Sequence, residues 1–184
     1  LAGVTNEWDI ANGFKHVVAL SASYTDFKNP FITNYETRLE NSLGLRTYLQ
    51  YQKQNNGWNW KANAGVEAQQ TASDINNHEN LAGQKGPELS VDKLAADQNF
   101  LFAHWMADIG SKLIVEASAS YNYYKYRYRT IFPVASERNT VKLSPEFMPR
   151  LAVAYQLTNN VGWRASASKG YSTPTIAEVR SSNT

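Results

Sequence analysis

Between Leu43 and Gln69 polar and apolar residues alternate with few faults. Leu43, Leu45, Thr47, Leu49 and Tyr51 take turns with Gly44, Arg46, Tyr48, Gln50 and Gln52. The chain reverses at Asn55-Asn56-Gly57, and Trp58, Trp60, Ala62, Ala64, Val66 and Ala68 then alternate with Asn59, Lys61, Asn63, Gly65, Glu67 and Gln69. A period of two sends successive side chains to opposite sides of a strand, so the segment predicts a hairpin with one apolar and one polar face. Asn-Gly readily takes the positive φ angles that a tight two-residue turn demands.

The pattern recurs along the chain. Residues 1–10 lead into Ala11-Asn12-Gly13, and the return strand carries Val18, Leu20, Ala22 and Tyr24 on one face, interrupted by His16. Leu101, Ala103, Trp105, Ala107 and Ile109 precede the turn Gly110-Ser111-Lys112, after which Val115, Ala117, Ala119, Tyr121 and Tyr123 continue one face. Phe147, Leu151, Val153, Tyr155 and Leu157 run into Thr158-Asn159-Asn160, and Val161, Trp163, Ala165 and Ala167 leave it. Residues 25–41, 71–98 and 131–145 are polar, hold prolines and asparagines, with Gly83 and Gly86 in the second, and lack alternation, which predicts long loops. Seven strands and a partial one therefore form a meander in which short turns and long loops take turns.

All five tryptophans lie within about five residues of a short turn. Short turns at one end, long loops at the other and aromatic residues at the boundaries predict an antiparallel up-and-down transmembrane β-barrel seen in part. Trp58, Trp60, Trp105 and Trp163 share the apolar face of their strands and are expected to form the periplasmic aromatic girdle, with Tyr121 and Tyr123 at the opposite interface. The alanine-rich rows suit lipid contact better than the inner face of a two-sheet sandwich. Residue patterning leaves three classes open: a gated importer, another outer membrane barrel such as a passive porin or barrel enzyme, and a soluble β-sandwich binding module.

Composition narrows the choice. The 184 residues have a mean hydropathy of −0.50 and no run of 18 apolar residues, so no transmembrane helix is predicted. A net charge of +2 is spread through the chain without a basic stripe, which argues against nucleic acid as a partner. With no cysteine, thiol chemistry and disulfide scaffolds are excluded. Starting at Leu1 with a strand under way, the sequence reads as an internal fragment.

Candidate chemistry concentrates in residues 121–129, Tyr-Asn-Tyr-Tyr-Lys-Tyr-Arg-Tyr-Arg. Tyr124, Tyr126 and Tyr128 share the polar-face parity and would line the upper lumen; with Arg127 and Arg129 they form a candidate site for an anionic aromatic ligand through stacking, cation–π attraction and charge-assisted hydrogen bonds. The same run also reads as an interface girdle whose outward cations meet lipopolysaccharide phosphates or water. Arg46, Lys61, Glu67, Arg150 and Arg164 are expected to face a hydrated interior. His16, His78 and His104 lack metal-ligand spacing, and there is no serine elbow, paired-carboxylate site or phosphate loop, so neither a metal, a cofactor nor an enzyme activity is expected.

One stretch carries a more specific signal. Pro149-Arg150-Leu151 through Tyr155-Gln156-Leu157, the Asn-Asn turn, and then Ala167-Ser168-Lys169-Gly170-Tyr171-Ser172-Thr173-Pro174-Thr175-Ile176-Ala177-Glu178 resemble the barrel of TonB-dependent outer membrane receptors. Tyr171 stands where that family more often has Phe. The resemblance implies that Pro149, Arg150, Lys169, Gly170, Tyr171, Pro174 and Glu178 are architectural. It also implies a Gram-negative outer membrane protein whose 22-stranded barrel continues beyond these residues, with the plug domain and closing C-terminal strand outside them. The expected function is capture of a scarce ligand at extracellular loops for energy-coupled import: a ferric siderophore first, or haem, cobalamin or an oligosaccharide. Expected partners are outer membrane lipid and lipopolysaccharide, the TonB complex acting through the plug, and a small-molecule or metal-chelate ligand.

Overall fold

The computed structural model describes residues 1–110 and 112–173. They form nine β-strands and no helix: β1 Ala2–Ala11, β2 Phe14–Pro30, β3 Tyr35–Asn55, β4 Trp58–Leu81, β5 Gln84–Ile109, β6 Leu113–Phe132, β7 Asn139–Lys142, β8 Glu146–Gln156 and β9 Gly162–Ser168. All pairings are antiparallel and join sequence neighbours, except that β6 pairs β7 at its upper end and β8 along its lower part.

Register carries the alternating rows across the sheet in phase. The row Leu20, Leu45, Ala68, Asn99, Tyr123 and the row Phe14, Tyr51, Ala62, Trp105, Ala117, Leu151 each run through directly opposed residues. A slip by one residue in any pairing would mix the faces. The apolar face thus stays continuous from β1 to β9 and is solvent-exposed at Leu20, Leu43, Leu49, Leu101 and Leu151. Of the polar residues on it, His16 and Thr47 satisfy each other, His16 Nε2 and Thr47 Oγ1 sharing a 2.8 Å hydrogen bond, while Asn6 and Asn99 also lie on this face.

The predicted long loops are corrected. Residues 25–41 continue β2 and start β3, leaving a connection of four residues at 31–34, and the expected loop 71–98 is a hairpin of β4 and β5 closed by Ala82-Gly83. Both turn residues have positive φ, 52° and 89°, the geometry of a type I′ turn, and Gly83 N donates to Asn80 Oδ1 at 2.6 Å. Alternation fades in these arms because polar residues take positions on both faces, while the backbone ladder continues. Polar cross-strand bonds replace apolar packing: Ser73 Oγ donates to Glu40 Oε2 at 2.9 Å, and Asn77 Nδ2 donates to Ser90 Oγ at 3.2 Å. The segment 131–145 likewise holds the end of β6 and all of β7.

Candidate functional site

At the short-turn end the apolar face carries a band of rings. Trp58 stacks on Trp60 at 6.3 Å, Trp60 meets Tyr51 edge-on at 5.1 Å, Tyr51 lies 4.4 Å from Phe14, and Trp163 lies 6.5 Å from Tyr155. Trp105 shares this face through its pairing with Ala62. Trp8 belongs here as well, stacked on His16 at 5.6 Å. Strand parity left it out of the expected girdle because the irregularity between Asp9 and Ala11 hides its phase at the turn.

The opposite face is polar and braced by ion pairs between neighbouring strands. Lys15 Nζ lies 2.7 Å from Glu7 Oε2, and Arg46 Nη1 3.6 Å from Glu67 Oε2. Glu116 Oε1 is 3.4 Å from His104 Nε2 and 3.9 Å from Arg150 Nε. Arg46 also sits over the Phe102 and Tyr48 rings at 4.8 and 5.7 Å. That packing requires Gly65 between the two rings in register, since any Cβ there would meet the Thr47 carbonyl and lie 2.6 Å from Tyr48 Cα.

The structure divides the Tyr-Arg run between two faces. Tyr124 and Tyr126 lie on the polar face, 9% and 7% exposed, in a cluster with Ala96, Phe100, Tyr128, Val141 and Leu143. Tyr124 meets Phe100 edge-on at 5.6 Å and Tyr171 at 6.3 Å. Arg127 and Arg129 alternate with these tyrosines and belong to the other face with Lys125, where Arg127 Nη2 donates to Asp97 Oδ1 at 2.8 Å. The tyrosines therefore share one site, and the guanidinium groups stand behind the sheet from it. Phe100 was findable by parity, since it begins the expected strand beside Leu101 and so falls on the opposite face. Tyr171, reached only by the chain leaving β9, had no signal of place in the sequence.

Pairing of β8 with β9 gathers much of the Pro149–Glu178 motif. Arg150 opposes Ser168, Lys169 N donates to Pro149 O at 3.0 Å, and Lys169 Nζ reaches Glu146 Oε2 at 2.7 Å. An N–H at position 149 would point toward β9 beside its carbonyl, where β9 ends, so proline forfeits little ladder bonding there. Gly170 and Tyr171 follow the strand; Pro174 and Glu178 lie outside the described residues.

In the hairpin arm, His78 is buried opposite Tyr35 and Glu88. Burial pushes its pKa below the ordinary 6.5, and Lys85 pushes in the same direction, against the smaller opposing effects of Glu88 and of a backbone hydrogen bond at Gly86.

A family model described as TonB dependent receptor-like, beta-barrel, matches residues 2–184. No curated protein matches the sequence. The fold is similar to the unliganded ferric citrate transporter FecA, with a TM-score of 0.69 at 10% identity over 90% of this chain and 26% of that one. It is also similar to the ferric-catecholate import receptor Fiu from E. coli K12. The open form gives a TM-score of 0.62 at 9% identity over 90% of this chain and 34% of that one, and the closed form 0.62 at 11% over 90% and 32%. The chain thus spans about a third or less of the solved structures it resembles.

Proposed function

The chain belongs to the TonB-dependent receptor β-barrel family, and from that premise we propose that it forms part of the barrel wall of an outer membrane receptor for energy-coupled import, with a ferric siderophore as ligand. The observation that carries this reading is the family match over residues 2–184 together with one continuous apolar face. The likeness to a ferric citrate transporter and a ferric-catecholate import receptor supports the ligand class.

Register supports a membrane-spanning geometry. On the apolar face, Tyr24 and Tyr123 are the last aromatic residues of β2 and β6 before charge takes over at Asp26 and Lys125. Tyr24 lies in the row of Arg127, four residues beyond Tyr123. Four residues rise about 13 Å while four strand spacings cover about 19 Å, so a level boundary through both rings implies a strand tilt of about 35°. Transmembrane barrels tilt their strands by this amount. In this reading Trp58, Trp60, Trp105 and Trp163, joined by Trp8, form the periplasmic girdle. The Tyr124, Tyr126 and Tyr128 patch belongs to the upper lumen face, where its packed rings shape the wall that an aromatic chelate meets, whereas Arg127 and Arg129 face outward and contribute nothing to that patch.

Uptake of iron-55 siderophores by cells carrying the full-length receptor tests the proposal. Uptake that vanishes when TonB is deleted is expected, and uptake indifferent to TonB overturns it. Replacing Tyr124 and Tyr126 with Ala should raise half-saturation about fivefold or more, given the usual worth of an aromatic pair, with barrel assembly checked by heat-modifiable migration.

A further inference from the structure

We propose that the β4–β5 arm ends in a proton-released latch: its tip is clamped to the β2–β3 connection by asparagine side chains, and protonation of His78 at the base of the tip frees it. The device concerns the arm itself and does not depend on which ligand is carried.

Ladder pairing stops below the tip on both sides. β3 pairs with β4 no higher than Tyr35 and His78, and β6 pairs with β5 no higher than Phe132 and Val91. Residues 79–90 therefore stand as a two-stranded hairpin, a form that is marginal in water when nothing else holds it. Asparagines supply the hold. Asn80 Oδ1 accepts from Gly83 N at 2.6 Å in the turn, while Asn80 Nδ2 donates to Phe31 O at 2.7 Å in the β2–β3 connection. Lower down, Asn34 Nδ2 donates to Asn77 Oδ1, and Asn77 Nδ2 donates to Ser90 Oγ at 3.2 Å.

His78 lies between these two asparagines, buried, with a register shift on either side of it. A backbone hydrogen bond at Gly86 engages the ring, and Nε2 has no partner. The neutral ring suits this place because Nε2 then carries no hydrogen. Protonation adds an N–H there with nothing to accept it, and a buried donor left unpaired is costly, more so on a charged group. Tyr35 from β3 and Glu88 from β5 stand opposite His78, and Lys85 of β5 adds a positive charge nearby. The β2–β3 connection, Phe31-Ile32-Thr33-Asn34, brings no charge, and Lys28 of β2 is paired with Asp26 at 3.1 Å. Burial and Lys85 outweigh Glu88, so the closed tip holds neutral His78. Once open, the ring is in water and takes a proton near its ordinary 6.5. As pH falls from there toward the lower value of the closed tip, the ratio of closed to open falls about tenfold per pH unit, the share of one proton.

The test places nitroxides on full-length receptor through Ile32→Cys and Gln84→Cys, both at exposed positions, and records their separation by double electron–electron resonance at pH 7 and pH 5. One short separation at pH 7 is expected, with a longer and broader population at pH 5 and a closed-to-open ratio severalfold lower. Identical distances at the two pH values overturn the proposal. Adding His78→Gln should keep the short separation at pH 5; lengthening as in the unsubstituted receptor removes His78 as the trigger and the proposal with it. Adding Asn80→Ala should give the long separation already at pH 7, and a tip still closed there overturns the asparagine clamp. Heat-modifiable migration checks that each variant has assembled, and the comparison of the two pH values in the receptor with native His78 and Asn80 decides the matter without them.

Discussion

Ala64 and Asn63 are neighbours in sequence and lie on opposite faces of β4, so one substitution made at each reports what those faces touch. Ala64 is exposed and paired with Leu49 and Ala103, and it sits midway between Trp58 at the short turn and Gln70, the first polar side chain on that face. Six residues from Trp58 at about 3.4 Å each, reduced by a tilt of about 35°, place it about 17 Å above the turn, inside an apolar band about 25 Å tall and about 4 Å past its middle. An arginine there should cost about 2–4 kcal/mol, the depth-dependent penalty at a bilayer midplane. Asn63→Arg, facing a hydrated interior, should stay within about 0.5 kcal/mol as an ordinary surface substitution does. Guanidinium unfolding of the full-length receptor refolded into vesicles measures both. Equal costs, or a larger cost at Asn63, would refute the face assignment.

Gly65→Ala should destabilise the barrel by about 1–3 kcal/mol, the range for overpacking, because the added methyl meets backbone across β3. An unchanged unfolding midpoint would show that the strands relax around it. In the β4–β5 arm, the lowered His78 pKa means that the unfolded arm binds more protons than the folded one at mildly acid pH. The arm should therefore be most stable above pH 6.5 and lose stability as pH falls from there toward the lowered value. Hydrogen exchange at residues 76–88, corrected for intrinsic rates, should accelerate between pH 7 and 5 in the native protein and stay level in His78→Asn; acceleration in both would remove His78 from the explanation. Loss of the Tyr124 and Tyr126 rings should act on siderophore uptake, whereas Arg129→Gln, on the outward face, should leave half-saturation within about twofold, as a surface change remote from the lumen does.

The alternating strands were legible because an apolar face and a polar face enforce period two; the rows through Leu45, Ala64, Trp105 and Ala117 follow the sequence reading residue for residue. The hairpin arms were not. Ser73, Asp74, Asn76 and Asn77 look like loop residues, yet ladder bonds and polar cross-strand pairs hold them extended, and Ala82-Gly83 closes the arm without an Asn-Gly signal. Of the candidate site, parity placed the tyrosines together on the polar face, and the same parity separates them from Arg127 and Arg129. Composition drew the two sets together, while alternation divides them. Tyr171 was missed because its position depends on where the chain goes after β9, which no local pattern encodes.

The most direct test of the central claim, that one face of this sheet meets lipid and the other a watery lumen, is nitroxide scanning of positions 59–68 in the full-length receptor reconstituted in vesicles. Power saturation should alternate with a period of two, with oxygen collisions dominant at 60, 62, 64, 66 and 68 and collisions with a water-soluble nickel chelate dominant between them. Accessibility without alternation, or with the two sets exchanged, would contradict the account.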